Sequence, residues 1–375
     1  MDGAMKRSGS AVLPLHSGHA PGWLIGRMKR LAAQIVTVII DQYGRDELLA
    51  RISDTFWFQS LGCVLGYDWH SSGVTTVLTG VLREAVNPGS TGVAFCGGKG
   101  RRSRRTPTEI RHYGAAFGLS EERVSGLERA SRMVAKVDNA AIQVGYPLYH
   151  HAFIMTLDGE WAVVQQGLDR HDRTARRYHW LSEHVHSFVD EPHEAIVGDI
   201  IRPTALNMTS KKSVESQRLA VDLVNDGVEK LRDDVLSLRC DGQRTLTEWI
   251  GQTRHRPCRN PVLNMPRRID WDAIRRAYEF QPINYEELLG IPGVGPGAVR
   301  ALALVSQMIY GAQPSWQDPV KFSFALGGKD GDPFPVDRTS YDETIQQLGK
   351  LIENAKLDQV EKYAALERLK NIAPN

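Results

Sequence analysis

The run Leu288-Leu289-Gly290-Ile291-Pro292-Gly293-Val294-Gly295-Pro296-Gly297-Ala298 predicts two short helices joined by a glycine-rich turn. Tyr285, Leu288 and Leu289 stand at helical spacing before the turn. Ala298, Leu302, Val305 and Ile309 continue one apolar face after it. Pro292 ends the first helix, because its ring removes an amide and disfavours helix at the preceding residue. Gly293 and Gly295 lack a Cβ, so the chain can turn tightly and a ligand can approach the backbone. The unpaired amides that open the second helix, together with its dipole, then make an anion site.

The rest of the chain bounds what such a site could serve. At 375 residues there is enough chain for two or three domains, and 42% hydrophobic with 24% charged residues is the composition of a globular protein. The formal net charge is only +2, so any surface for a polyanion must come from local clustering. Cys63, Cys96, Cys240 and Cys258 show no paired spacing, which predicts neither a disulfide framework nor a zinc finger and points to a reducing cytoplasm. The apolar run Leu31 to Ile40 is interrupted by Gln34 and Thr37 and is too short to span a bilayer; no membrane association is expected. Met28, Leu31, Ile35 and Ile39 predict a helix stopping at Gly44 as a left-handed cap. A helix follows over Gly73 to Val86. Thr106 or Thr108 is expected to cap another, and Ser120 a third.

The clearest β signal is Leu148 to Leu157, Asp158-Gly159, then Glu160 to Leu168. Asp-Gly favours a two-residue hairpin turn, placing Leu157 opposite Glu160, Phe153 opposite Val164 and His151 opposite Gln166. Both faces are largely apolar, which predicts a hairpin covered on both sides. A third strand is expected near Ala195 to Ile201, and helices from Thr209 onward. The expected fold is α+β. A mixed α/β domain (5–206) with the central antiparallel hairpin precedes an all-helical domain (207–317) containing the hairpin at 285–309, then a C-terminal extension (318–375) with a terminal helix.

Several residue sets suggest chemistry. The glycine turn after a strand carries Lys99, Arg101, Arg102, Arg104 and Arg105, which suits a phosphate backbone as well as an ordinary solvated loop. Arg176-Arg177-Tyr178-His179-Trp180 suits backbone contact with stacking, or equally an amphipathic helix start. Asp138 falls on the inward stripe of its helix with Val124, Leu127, Ser131, Val134 and Ala141, where a carboxylate is either ion-paired or metal-bound. Asp68, Asp138 and Glu191, helped by His70 and His151, would bind Mg²⁺ or Mn²⁺ for phosphodiester hydrolysis, with Gln166 orienting water or a phosphate oxygen. Each of these residues alone also fits a structural role. Gly293 and Gly295, with Arg300 behind them, would hold one strand of DNA.

The glycine turn at 291–297 resembles the helix-hairpin-helix of DNA-repair and recombination proteins, which grips one phosphodiester backbone without reading bases. Lyase-type glycosylases with this hairpin carry a lysine at the position of Gly297, and Asp318 is only a loose match to their catalytic aspartate. A wider resemblance is carried by Leu13-Pro14-Leu15-His16-Ser17-Gly18, Trp57-Phe58-Gln59, Asp68-Trp69-His70-Ser71-Ser72-Gly73, Gly97-Gly98-Lys99-Gly100, Leu148-Tyr149-His150-His151 and Arg176-Arg177-Tyr178-His179-Trp180. On these the chain resembles the domain-of-unknown-function family numbered seven hundred and sixty-three, over residues 5 to 340. The resemblance implies a nuclease-like domain joined to a helix-hairpin-helix domain in a homodimer. The expectation is therefore a metal-dependent, structure-selective DNA nuclease, with a non-enzymatic DNA-binding scaffold or a monofunctional glycosylase as alternatives.

Overall fold

The computed structural model describes residues 22–66, 73–172, 174–198, 200–238, 264–320 and 338–372. Five strands form an antiparallel sheet in the order β1 (Val93–Lys99), β3 (Leu148–Thr156), β4 (Trp161–Asp169), β5 (Thr174–Leu181) and β6 (Ala195–Val197). Two short strands, β2 (Ile142–Gln143) and β7 (Leu206–Asn207), pair separately. The expected hairpin is β3–β4, at the centre of the sheet, and helices cover both of its faces.

One face packs on α1 (Gly22–Tyr43), α2 (Arg45–Ser53), α3 (Thr55–Val64) and α4 (Gly73–Ala85). Val93, Phe95, Ile154, Ala162, Val164 and Leu181 share a core with Met28, Ile35, Ile39, Leu48 and Phe58 there. The short α5 (Pro88–Thr91) leads into β1. The opposite face carries Ala94, Cys96, Phe153, Met155, Val163 and Trp180, covered by α6 (Thr106–Ala116) and α7 (Glu121–Lys136). The same core continues through α8 (Val214–Asn225), α9 (Val228–Ser237) and α10 (Trp271–Phe280) to the glycine hairpin, α11 (Tyr285–Gly290) and α12 (Pro296–Met308). The terminal pair α13 (Arg338–Asn354) and α14 (Gln359–Ile372) returns to α3 on the first face, where Leu348, Ile352 and Leu369 are buried.

Local details depart from the sequence reading in instructive ways. The β3–β4 register is Phe153 with Val163 and His151 with Gln165, one residue off the expected pairing. Gly159 alone takes a positive φ of 85° and donates its amide to the Thr156 carbonyl at 3.0 Å, giving a three-residue loop in place of a two-residue turn. Gly44 has φ 92° and ψ 174°, a glycine-only extended conformation and not a left-handed cap. Ser120 does cap α7, accepting from the Arg123 amide at 3.2 Å. Neither threonine caps α6: Thr106 lies inside the helix and donates to the Ser103 carbonyl.

β5 went unread in the sequence. All eight of its residues are buried, including two arginines. Arg176 pairs with Asp318 through two bonds of 2.7 and 2.9 Å, and Arg177 donates to Gln59 at 3.0 Å and lies over the Phe58 ring. Both arginines have 0% exposure, so neither reaches a DNA backbone in this fold. Asp318 is likewise consumed by Arg176 and the Arg202 amide.

Candidate nucleic-acid interface and the buried polar network

The hairpin is built from both sides. Asn284 caps α11 by accepting from the Glu287 amide at 2.8 Å, and Gly295 and Pro296 open α12 with proline at the first helical position. Lys136, at the end of α7, donates to the carbonyls of Ile291 and Val294, each at 2.7 Å, and so holds the turn. Burial lowers its pKa to about 8. Arg276 donates to the Pro292 carbonyl at 3.0 Å. These donors engage the carbonyls of Ile291, Pro292 and Val294, while the opening amides of α12 have no partner within their own helix.

Gly293 has φ 92°, and a Cβ there would stand 2.7 Å from the Ala273 Cβ. At Gly297 a Cβ would fall 2.3 Å from the Arg268 carbonyl oxygen. That glycine lets the segment before α10 lie against the start of α12. The consequence is a depression of about 670 Å³ lined by Arg267, Arg268, Gly293, Gly295, Gly297 and Ala298 among others. Arg267 and Arg268 are exposed. Arg267 and Arg268 end a run rich in Arg and Pro that starts at Arg254, and nothing in its spacing says that its last residues meet the hairpin. Arg300, by contrast, is half-buried, with its guanidinium over the Trp316 ring at 5.4 Å and a bond to the Asn264 carbonyl. It supports the segment from behind.

The basic turn Gly100–Arg105 is a 3-10 helix directly after β1, with Lys99, Arg101, Arg102, Arg104 and Arg105 all exposed. It matches the expected surface cluster.

The expected catalytic set is distributed differently. Alternation along β3 and β4 sends His151 and Gln165 to the α7 face, and His150 and Gln166 to the α4 face. Asp138 sits in a π turn (Val137–Ala141) after α7 and is fully buried. Its Oδ2 accepts from Gln165 Nε2 at 2.5 Å and Trp180 Nε1 at 3.0 Å; its Oδ1 accepts from His193. Gln165 Oε1 can only accept, so His151 Nδ1 donates to it at 2.6 Å, and Ser131 donates to His151 Nε2 at 2.9 Å. This is a closed relay linking Ser131, His151, Gln165, Asp138 and His193. It is organised as a core network.

Gln166 is buried on the opposite face from this network, and Glu191 is exposed at φ 43°. Two residues after Glu191, His193 turns inward and supplies the partner of Asp138. Asp68 and His70 lie outside the described residues. Among the described residues, no group of three His, Cys, Asp or Glu side chains is gathered as a metal site would need. Asp138, with its lone pairs engaged by three donors, is not poised as a ligand for Mg²⁺ or Mn²⁺.

Burial pushes the pKa of His150 down to about 3 and lowers those of His151 and His179 as well. The unfolded chain protonates these rings near their ordinary 6.5 while the folded one refuses the proton. Stability is therefore expected to fall as pH drops below about 6.5, with the largest share, about 1.4 kcal/mol per pH unit, from a ring held as low as His150. Urea midpoints measured from pH 7 to pH 5 should show this slope, and His179→Gln should flatten it. A wild-type midpoint independent of pH over that window would contradict the burial of these rings.

A model of the DUF763 family, described as a protein of unknown function, matches residues 9–336, and the chain belongs to that family. No curated protein and no solved structure matches it. Among the described residues, no helix is long and apolar enough to cross a membrane.

Proposed function

We propose that this protein binds DNA by its phosphodiester backbone, without reading bases. The observation that carries the proposal is the convergence of Arg267 and Arg268 with the opening turn of α12 on one glycine-lined depression. Helix-terminus amides and exposed guanidiniums are donors that phosphate oxygens accept from, and they carry no sequence information. The exposed turn Gly100–Arg105 adds a second cationic surface.

Cleavage with Mg²⁺ or Mn²⁺ is the other outcome to be tested. It needs carboxylates gathered around an ion, whereas Asp138 is bonded within the core and no such group is assembled among the described residues. The geometry therefore favours binding over hydrolysis. A lyase-type glycosylase is disfavoured further, because the position where those enzymes carry lysine has no room for a side chain.

The basic turn offers a direct test. Each phosphate contact removed is expected to reduce the slope of log affinity against log salt by about 0.9. Replacing Arg101, Arg104 and Arg105 together by alanine should weaken binding evenly across sequences and flatten that slope by about 2–3. An unchanged slope would show that the turn is only solvated surface.

A further inference from the structure

The ammonium of Lys136 is held under the glycine hairpin by carbonyl oxygens and by no carboxylate. Its Nζ donates to Ile291 and Val294, and the side chain is half-buried. Burial is the only influence on its pKa, so no neighbouring charge compensates it. The carboxylates of the elements around it are engaged elsewhere. Glu128 of α7 is shared by Arg111 and Arg132, and Asp138 by Gln165, Trp180 and His193. On α11, Glu286 pairs with Arg129 and Glu287 accepts from the Ile283 amide. Asp270, before α10, accepts from the Ala273 amide and lies 4.0 Å from Arg276. A desolvated ammonium without a counter-charge is costly, unless an anion comes to face it.

The peptide geometry says where that anion sits. In a trans peptide the C=O and N–H point in opposite directions. With the Val294 carbonyl fixed on Lys136, the Gly295 N–H is turned away from α7. Arg276, bonded to the Pro292 carbonyl, turns the Gly293 N–H away from its own guanidinium in the same manner. Neither glycine amide donates to a backbone carbonyl among the described residues. Both glycines line the depression with Arg267 and Arg268, and Lys136 does not. Gln143 completes the bracket by donating to the Pro296 carbonyl at 2.9 Å. A carbonyl that accepts from a cation also makes the N–H of its own peptide a stronger donor.

We propose that Lys136 is the positioning residue of the DNA site: bonded to the Ile291 and Val294 carbonyls, it aims the Gly295 amide at a phosphate oxygen and sets an uncompensated positive charge behind it. The inference rests on the backbone-binding reading above and names the group through which that site is tuned. Lys136 itself touches no phosphate; it acts through the peptide.

A pH dependence follows from this arrangement. A phosphate facing the ammonium favours its charged form, so the pKa rises in the complex above its free value of about 8. Binding then carries a proton with it at alkaline pH, and affinity falls as pH rises through that value. With the pKa about one unit higher in the complex, the fall between pH 7 and pH 9 is about fivefold. The other charged groups around Lys136 are carboxylates and guanidiniums, classes that titrate well outside this window.

The test is fluorescence anisotropy of one labelled duplex at fixed salt, from pH 7 to pH 9, with thermal melting of each variant as the check on folding. Wild type should show the fall. Lys136→Met, which leaves both carbonyls without their donor, should bind about tenfold or more weakly at pH 7 and show no fall. Lys136→Arg keeps a charge that does not titrate here, so it should bind more tightly than Lys136→Met and also show no fall. If Lys136→Met does not fold, the contrast between wild type and Lys136→Arg decides alone. Wild-type affinity indifferent to pH, a fall that persists in either variant, or Lys136→Met binding like wild type would each overturn the inference while leaving backbone binding in place. A wild type that binds no duplex at any pH would overturn the backbone reading and this inference with it.

Discussion

Asp138→Ala should destabilise the protein by about 3–5 kcal/mol, the range for removing one partner of a buried charged network. The substitution strands the His193 and Trp180 donors and the Gln165 amide together, in a site with no exposure. It also frees Gln165, whose carbonyl positions His151. Urea unfolding at pH 7 measures the effect. The sign separates two roles for this carboxylate. A ligand held open for a cation tends to cost stability, so its removal leaves the protein as stable or more so. A keystone of a closed relay leaves it far weaker. A loss below about 1 kcal/mol would contradict the relay.

Gly297→Ala should reduce DNA affinity tenfold or more while leaving the fold intact. The new methyl group would lie 2.3 Å from the Arg268 carbonyl oxygen, a backbone atom that cannot rotate away. The segment carrying Arg267 and Arg268 has to part from α12, which dissolves the shared depression. The stability cost is that of overpacking, about 1–3 kcal/mol. Gly295→Ala is the companion, because its Cβ would meet nothing closer than 3.7 Å and its φ of −117° suits any residue. Melting should be unchanged there, so any fall in affinity reports the close approach of phosphate to that backbone. Equal affinity of Gly297→Ala and wild type would remove Arg267 and Arg268 from the interface.

Local patterns were the legible part of this sequence. The stripe Met28, Leu31, Ile35 and Ile39 is buried in α1, and Val124, Leu127, Ser131, Val134, Asp138 and Ala141 face inward as their spacing predicts. The β3–β4 hairpin stands out through two β-rich runs on either side of Asp158-Gly159. Its register does not, since Asp158-Gly159 is compatible with two loop lengths and only the Thr156–Gly159 bond selects one. β5 was hidden because two consecutive arginines read as surface. The residue that makes Arg176 tolerable inside a sheet, Asp318, comes 142 positions later. His193 cannot be told from Glu191 in sequence, because in an irregular segment residues two apart carry no sign of which points inward. The positive φ at Glu191 is what turns the chain there. The hairpin motif was plain in sequence, while its meeting with Arg267 and Arg268 depends on a tertiary contact at Gly297 that no spacing encodes.

The most direct test of backbone binding is fluorescence anisotropy of two labelled duplexes of unrelated sequence, titrated over a range of salt in EDTA and again with Mg²⁺ or Mn²⁺. The two duplexes should bind alike in EDTA, with log affinity falling linearly in log salt by about 0.9 per phosphate contacted. Absence of binding, affinity indifferent to salt, or a preference of several orders of magnitude for one sequence would contradict the account.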